Sequence, residues 1–168
     1  PEYWQQPFAS RRHWCFIYDC LVELRAQTKQ RGQSLVLRTG DVIDVFNDLN
    51  NQFDIKNIFA HEESGGAWTY KRDIRVHKWC KDVAVVFQES PRDGVVRRLK
   101  SRDLWSKERD QRMGKALIPA PVQIKYIFDD LGSFPEKNDP LFGDPVPGSV
   151  QKGGRKEAER GSGRWRGR

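Results

Sequence analysis

The chain has 168 residues, the usual size of one domain, and 37% of them are hydrophobic, which is enough to build a core. Its net charge of +7 makes nucleic acid a candidate partner. From Gly148 onward, however, seven basic and two acidic residues carry +5 of that charge, leaving +2 for the body. We therefore expect at most weak, non-specific nucleic-acid binding through the basic tail.

The sequence also bears on membrane association, disulfide bonds and processing. No run approaches the roughly 18 apolar residues of a membrane span, and no signal peptide begins the chain, so no membrane association is expected. Cys15, Cys20 and Cys80 form neither a CxxC pair nor a disulfide framework, which fits packing residues in a reducing cytoplasm. The start on Pro1, with Met113 as the single methionine, predicts a fragment or a trimmed product.

Helices and strands are predicted to alternate over the first half of the chain. The first helix is expected from Ser10 to about Arg31, with Gly32 as its stop. The remaining apolar patterns predict helices over 42–53 and 69–81, the latter capped by Thr69, and strands at 35–37, 57–61 and 83–88. This order predicts an α/β fold with a Rossmann-like parallel sheet.

The second half is predicted to be less regular. Beyond Ser90, basic and acidic residues are mixed, which indicates a loop and a short helix near Leu104. The proline- and glycine-rich stretch 138–147 indicates a linker. Residues 153–168 have too few apolar side chains to pack, so we expect a disordered basic tail.

Polar side chains collect where the 57–61 strand passes into the next helix. The apolar run 58–60 suits a buried parallel strand, and His61, Glu62 and Glu63 follow it directly. Ligands bind at the carboxyl edge of open α/β sheets, so this edge is the candidate site. Neighbouring side chains on an extended segment face opposite ways, and the histidine spacing of a zinc helix is absent. We therefore predict no catalytic and no metal-binding residue here, and either ligand lining or amide capping for one or two of these side chains.

Two glycines complete this segment. Gly65 and Gly66 before a helix are compatible with a phosphate cradle, but no GxGxxG or GK[ST] pattern surrounds them. The turn itself is the favoured explanation for both glycines.

Several motifs resemble the N-terminal α/β domain of the DNA photolyase/cryptochrome family. They are HEESGGAWTYKRD at 61–73, DGVVRRL at 93–99, RDLW at 102–105, and PEYW at 1–4 with SRR at 10–12. QKGGR at 151–155 is similar to the family's entry into its second domain. The resemblance implies a five-stranded parallel sheet whose first two strands precede Pro1. Residues 1–122 would then be a partial, N-terminally truncated α/β domain, and 123–168 a linker and basic tail leading to a missing helical domain.

The resemblance also implies a function for the parent protein, namely light-driven repair of pyrimidine dimers in DNA or blue-light sensing. In that family FAD binding and dimer recognition belong to the helical domain, so this chain alone is expected to be inactive as a lyase. An alternative is a stand-alone α/β module of the nucleotide-binding type without catalytic activity.

An antenna chromophore, a folate or a deazaflavin, is implied near Glu63, Trp68 and Arg72. Folate-binding members carry an Asn-Glu pair at about the positions of Trp68 and Thr69, which weighs against folate here. Trp68 as a core or turn aromatic is the equal alternative. The RRL arginines, Arg97 and Arg98, either contact the missing domain or form a solvated basic face.

Overall fold

The computed structural model describes residues 2–97, 99–125, 127, 129–145 and 148–165, with the backbone alone for 161–165. Its regular elements are α1 (Arg11–Lys29), α2 (Val42–Phe53), β1 (Asn57–His61), α3 (Ala67–Asp82), β2 (Val86–Ser90), a 3₁₀ turn (Arg102–Leu104), α4 (Trp105–Met113), a second 3₁₀ turn (Pro140–Phe142) and α5 (Arg155–Trp165). The chain divides into two compact units, residues 39–119 (unit A) and residues 1–38 with 120–168 (unit B).

Unit A contains a strand–helix–strand motif. β1 and β2 pair in parallel, with Asn57 opposite Val86 and His61 opposite Ser90, and α3 connects them. Parallel strands need such a crossover, and the motif confirms the predicted α/β, Rossmann-like class. The predicted bounds of β1 agree with the structure, and α2 forms where the apolar stripe from Val42 to Phe53 predicted a helix.

The third predicted strand begins later than expected, at Val86 rather than Val83. Residues 83–85 instead finish α3, because the Val83 amide donates to the Trp79 carbonyl and the Val85 amide to the Cys80 carbonyl. Ala84 between them has a φ of 57°, a left-handed conformation that ends the helix. Residues 83–86, Val-Ala-Val-Val, predicted the start of a strand, but the first three of them close the helix.

The core of unit A lies between α2, α3 and one face of the sheet. Helical spacing predicted an apolar stripe of Val76, Trp79, Cys80 and Val83 on α3; the first three are buried, whereas Val83 is 37% exposed. Val85 is buried with them. Phe46 of α2 stacks on Trp79 with ring centroids 5.4 Å apart. Burial raises the pKa of the Cys80 thiol, which suits the predicted packing role.

The prediction of a fully buried β1 is wrong. Phe59 is 73% exposed, and Val86 on the neighbouring strand is 57% exposed. Only the alternate side chains, such as Ile58 and Phe87, pack on the core. The reason is that successive side chains face opposite sides of the sheet, and α2 and α3 cover one side.

The predicted cap of α3 is also wrong. The helix begins at Ala67 with Gly66 as its N-cap, so Thr69 lies within the first turn. The Thr69 hydroxyl donates to the Gly66 carbonyl at 2.8 Å instead of accepting a bond from an amide. Threonine forms such backward bonds readily, so its position alone does not fix a helix start.

Unit B is organised around α1, whose extended N-cap is Ser10, as predicted. Trp14 is 5% exposed and stacks on Phe142, with ring centroids 4.1 Å apart. Its indole nitrogen donates to the Glu136 carbonyl at 3.1 Å. Phe142 is 3% exposed, so the stretch predicted as a linker packs against α1 through an aromatic anchor. Val146 and Pro147 of that stretch lie outside the described residues.

The strand predicted at 35–37 has no regular secondary structure. The Leu37 amide donates to the Leu131 carbonyl at 2.8 Å, and Arg38 pairs with Asp130 at 3.1 Å. A strand needs a ladder of such bonds, and the described part of unit B supplies no neighbouring strand.

The C-terminal tail differs from the prediction of disorder, because α5 covers Arg155–Trp165. Two ion pairs one helical turn apart stabilise it, Arg155 with Glu159 at 2.9 Å and Arg160 with Glu157 at 2.6 Å. Composition missed this helix because it depends on charge spacing rather than on apolar burial. Residues 166–168 lie outside the described residues.

Candidate functional site

The candidate site lies at the carboxyl edge of the two-stranded sheet. Because β1 and β2 are parallel, their last residues His61 and Ser90 end at the same edge. The Glu62 amide donates to the Ser90 carbonyl at 2.9 Å, which extends the pairing by one residue. The loops that follow both strands therefore start side by side, as the sequence predicted for a ligand-binding edge.

Two half-buried ion pairs hold this edge together. Arg112 of α4 donates to Glu62 at 2.7 Å, and both side chains are 19% exposed. Arg97 donates to Glu89 at 2.8 Å and lies 3.8 Å from Glu62. The hydrogen bond from Arg97 to Glu89 raises the pKa of the Arg97 guanidinium, so this cation keeps its charge at any physiological pH.

The arginines also fix the backbone beyond the strands. Arg112 donates a second bond to the Val95 carbonyl at 2.9 Å, so one guanidinium joins α4 to the end of β1 and to the 91–97 loop. The second Glu89 oxygen, Oε1, is buried and has no hydrogen-bond partner among the described residues.

A separate contact joins the two loops. The Ser64 hydroxyl donates to the Asp93 carboxylate at 2.7 Å, and the Val95 amide donates to the other oxygen of Asp93 at 2.9 Å. The Ser64 bond, the Val95 amide and the nearby Arg92 lower the pKa of Asp93, so this carboxylate is charged at neutral pH. The loop after β1 is thereby held against the loop after β2.

Glu63, Trp68 and Arg72, the residues predicted to line a chromophore cleft, surround the start of α3. Glu63 accepts a bond from the Gly65 amide, which closes the tight turn before the helix. Trp68 and Arg72 are half-buried and lie four residues apart on α3, so they share one helix face. Arg72 donates twice to Asp73, at 2.9 and 2.7 Å, and its side chain is 38% exposed.

The three adjacent polar residues do not converge. Glu62 pairs with Arg112, Glu63 turns to the Gly65 amide, and His61 is exposed. Within the described ranges, the structure holds no group of three or more histidine, cysteine, aspartate or glutamate side chains suited to a metal ion.

The sequence did not reveal the partners of Arg97. It predicted either a contact with the missing domain or a solvated basic face. Its carboxylates come from the ends of β1 and β2, at Glu62 and Glu89. A signal existed, since acidic residues end both strands and a basic segment follows, but only the parallel pairing brings them together. Arg98 lies outside the described residues.

A parallel strand–helix–strand unit whose following loops start at the same edge of the sheet defines a protein of the α/β, Rossmann-like class. The sequence model described as DNA photolyase matches residues 1–100, well over half of the chain. The chain therefore belongs to the DNA photolyase family.

A curated relative agrees with this assignment. The chain is 35% identical over 49 residues to a protein of Arabidopsis thaliana named cryptochrome DASH, chloroplastic/mitochondrial. The aligned part is 29% of this chain and 9% of that protein, so the chain spans a small fraction of that relative's length. Among the described residues, no helix has the length and apolarity to cross a bilayer.

Proposed function

We propose that this chain is the antenna-side α/β part of a photolyase or cryptochrome, whose parent activity is light-driven repair of pyrimidine dimers or blue-light sensing. The main support for this proposal is that the family match over 1–100 includes the 61–73 segment, which starts at the carboxyl edge of the parallel sheet. Among the residues that the structure describes, no contact favours the alternative of a stand-alone nucleotide-binding module over this assignment.

The proposed chromophore site consists of Glu63, Trp68 and Arg72. An antenna chromophore supplies light absorption, and these residues supply the binding chemistry. The Trp68 ring offers a stacking surface for a planar heterocycle. Glu63 uses one carboxylate oxygen on Gly65, and its second oxygen can accept a bond from a ring amine. Arg72, 38% exposed, can donate to an acidic group on the ligand.

The test is a fluorescence titration of the purified chain with a deazaflavin and with a reduced folate. We expect tighter deazaflavin binding, because Trp68 and Thr69 stand where folate-binding members carry Asn-Glu. Arg72→Gln and Trp68→Ala should each weaken binding by about fivefold or more. Lys78→Gln, an equal charge change at an exposed position of α3, is the matched control and should have no effect. Binding that is indifferent to both site substitutions would remove these residues from the proposal.

We propose further that this chain alone binds no FAD and reverses no dimer, because the family resemblance assigns both tasks to a helical domain. The absorbance spectrum of the purified chain and a blue-light dimer-reversal assay test this directly. A bound flavin spectrum, or reversal in the absence of any other protein, would contradict it.

DNA binding by this chain is proposed to be weak and to come from its tail. The seven basic residues from Gly148 onward carry most of the net charge, so binding should fall steeply with salt and ignore sequence. Truncation after Gly148 should abolish it in a gel-shift titration at two salt concentrations. The proposed division at residues 122/123 separates this tail from the α/β part. Salt-resistant binding by the truncated chain would place the basic surface elsewhere.

The proposed compartment is the cytoplasm. Cys15, Cys20 and Cys80 are all free thiols, which supports a reducing environment. Microscopy of a fluorescent fusion of the full-length protein would test it, and localisation to an organelle would contradict it.

A further inference from the structure

Unit B contains a pocket that shares no residue with the proposed chromophore site. We propose that this pocket, of about 510 Å³, binds a small molecule with a flat aromatic ring and one anionic group such as a carboxylate, sulfonate or phosphate. Its volume lies within the range of small-molecule sites, roughly 300–1,000 Å³.

The walls of the pocket are mainly aromatic and aliphatic. The lead-in before α1 contributes Tyr3 and Phe8, α1 contributes Phe16 and Ile17, and the segment before α5 contributes Val150. Phe8 and Phe16 are 46% and 40% exposed, so apolar surface is open to a ligand. Covering aromatic surface with a planar ring is favourable through both area burial and ring packing.

The first of these walls is held by further ring contacts. Tyr3 packs edge-on against Trp4 at a centroid distance of 5.0 Å and against Phe8 at 5.7 Å. Trp4 in turn packs at 4.7 Å against Phe142, which is buried. The lead-in is therefore anchored to the aromatic core of unit B.

The 150–154 segment, which contributes Val150 to the lining, is anchored by two glycines. The Gly153 amide donates to Asp19 of α1 at 3.2 Å, and the Gly154 amide donates to the Cys20 sulfur at 3.1 Å. These bonds hold the 150–154 segment against α1, so Val150 and the α1 side chains of the lining are in place before any ligand binds. Such preorganisation lowers the entropic cost of binding.

The charge of the pocket selects an anion. Arg12 and His13 contribute the basic side chains, and no carboxylate is among the lining residues in the described part of the chain. The Arg12 side chain makes no ion pair or hydrogen bond with any described residue. An unpaired guanidinium beside an aromatic wall matches an anionic group on a planar ring, which it can bind through two parallel hydrogen bonds.

The test uses two dyes with the same ring system. 8-Anilinonaphthalene-1-sulfonate carries one anionic group, and N-phenyl-1-naphthylamine lacks it. Arg12→Gln should raise the Kd of the anionic dye about fivefold and leave that of the neutral dye unchanged, since only the sulfonate contacts the guanidinium. Phe16→Ala should weaken both dyes, because both lose the aromatic wall.

Lys29→Gln is the matched control, because it removes one positive charge from the exposed end of the same helix. It should change neither Kd. Equal binding of the anionic dye by Arg12→Gln and the wild type would overturn the proposal, as would an equal loss in Lys29→Gln. Arg12 is exposed, so its variant should fold, and the chromophore titration tests a different set of residues.

Discussion

Gly153 lies so close to α1 that a methyl group has no room there. A Cβ atom at this position would overlap the Phe16 carbonyl oxygen and approach the Cys20 sulfur at 2.8 Å and the Cys20 amide nitrogen at 3.1 Å. Two of these three atoms belong to the α1 backbone, which cannot move aside as a flexible side chain can. Gly153→Ala therefore has to push the 150–154 segment away from the helix.

The expected cost follows from the contacts that this movement breaks. The amides of Gly153 and Gly154 lose their acceptors, Asp19 and the Cys20 sulfur. A net contribution of about 1 kcal/mol for the first bond, and less for the weaker sulfur acceptor, gives a loss of about 1–2 kcal/mol. For a chain of this size that corresponds to a drop in Tm of about 5 °C.

Urea unfolding followed by circular dichroism measures the loss, and amide exchange at residues 153 and 154 shows where it arises. Lys152→Ala is the control, because Lys152 is an exposed side chain of the same segment, and we expect its truncation to be nearly neutral. A Gly153→Ala protein as stable as the wild type, with both amides still protected, would refute the close packing of this segment on α1.

Three further predictions concern unit A. Asp41→Asn should lower the free energy of unfolding by about 0.5 kcal/mol at neutral pH. The substitution breaks the exposed ion pair with Arg75 but keeps a side-chain oxygen that can cap α2. Arg75 lowers the pKa of Asp41, so the stability difference between the wild type and the variant is present above about pH 4 and should vanish as pH falls through the folded-state pKa. A stability difference that does not change with pH would contradict this prediction. A double-mutant cycle of Glu62→Gln and Arg112→Gln should give a coupling of about 1 kcal/mol in urea unfolding, whereas additive losses would mean that the pair contributes nothing. Limited chymotrypsin digestion should cut first after Leu117, which is 96% exposed, and Leu117→Asp should protect this site; a first cut within a helix would disagree.

Local sequence patterns were sufficient wherever one face of one element decides the structure. The apolar stripe from Val42 to Phe53 predicted α2, and the spacing of Val76, Trp79 and Cys80 identified the buried side of α3, although Val83 at the end of that spacing is 37% exposed. In both helices the apolar side chains recur at the helical period and pack on a single core, so the sequence pattern alone predicts the helix and its buried face.

Long-range partners were not accessible in the same way. The stretch around Phe142 is rich in proline and glycine, which indicates a linker, yet the Phe142 ring stacks on Trp14 at the far end of the chain. One large aromatic ring can anchor an otherwise irregular segment, because its burial alone removes a large apolar area from water. Composition averages over the segment and so dilutes that single contribution.

The strand pairing at the sheet edge decides whether an arginine there is solvated or forms an ion pair within the fold. In the strand register Glu89 stands opposite Ala60, whose small side chain leaves space on the covered side of the sheet. A lone carboxylate there would lose hydration, so the Arg97 guanidinium that reaches Glu89 at 2.8 Å compensates a cost that the strand itself creates.

The ion pairs at the strand ends also affect the proposed site, because they hold the loops after β1 and β2 together. Glu62 is occupied by Arg112, while Glu63 uses one oxygen on the turn before α3. The loop is thus held by the contacts of Glu62 and Ser64, while Glu63 lies in the turn before α3 and Trp68 in the first turn of that helix. A binding site gains from such a division, since side chains that contact a ligand are positioned by neighbours that do not.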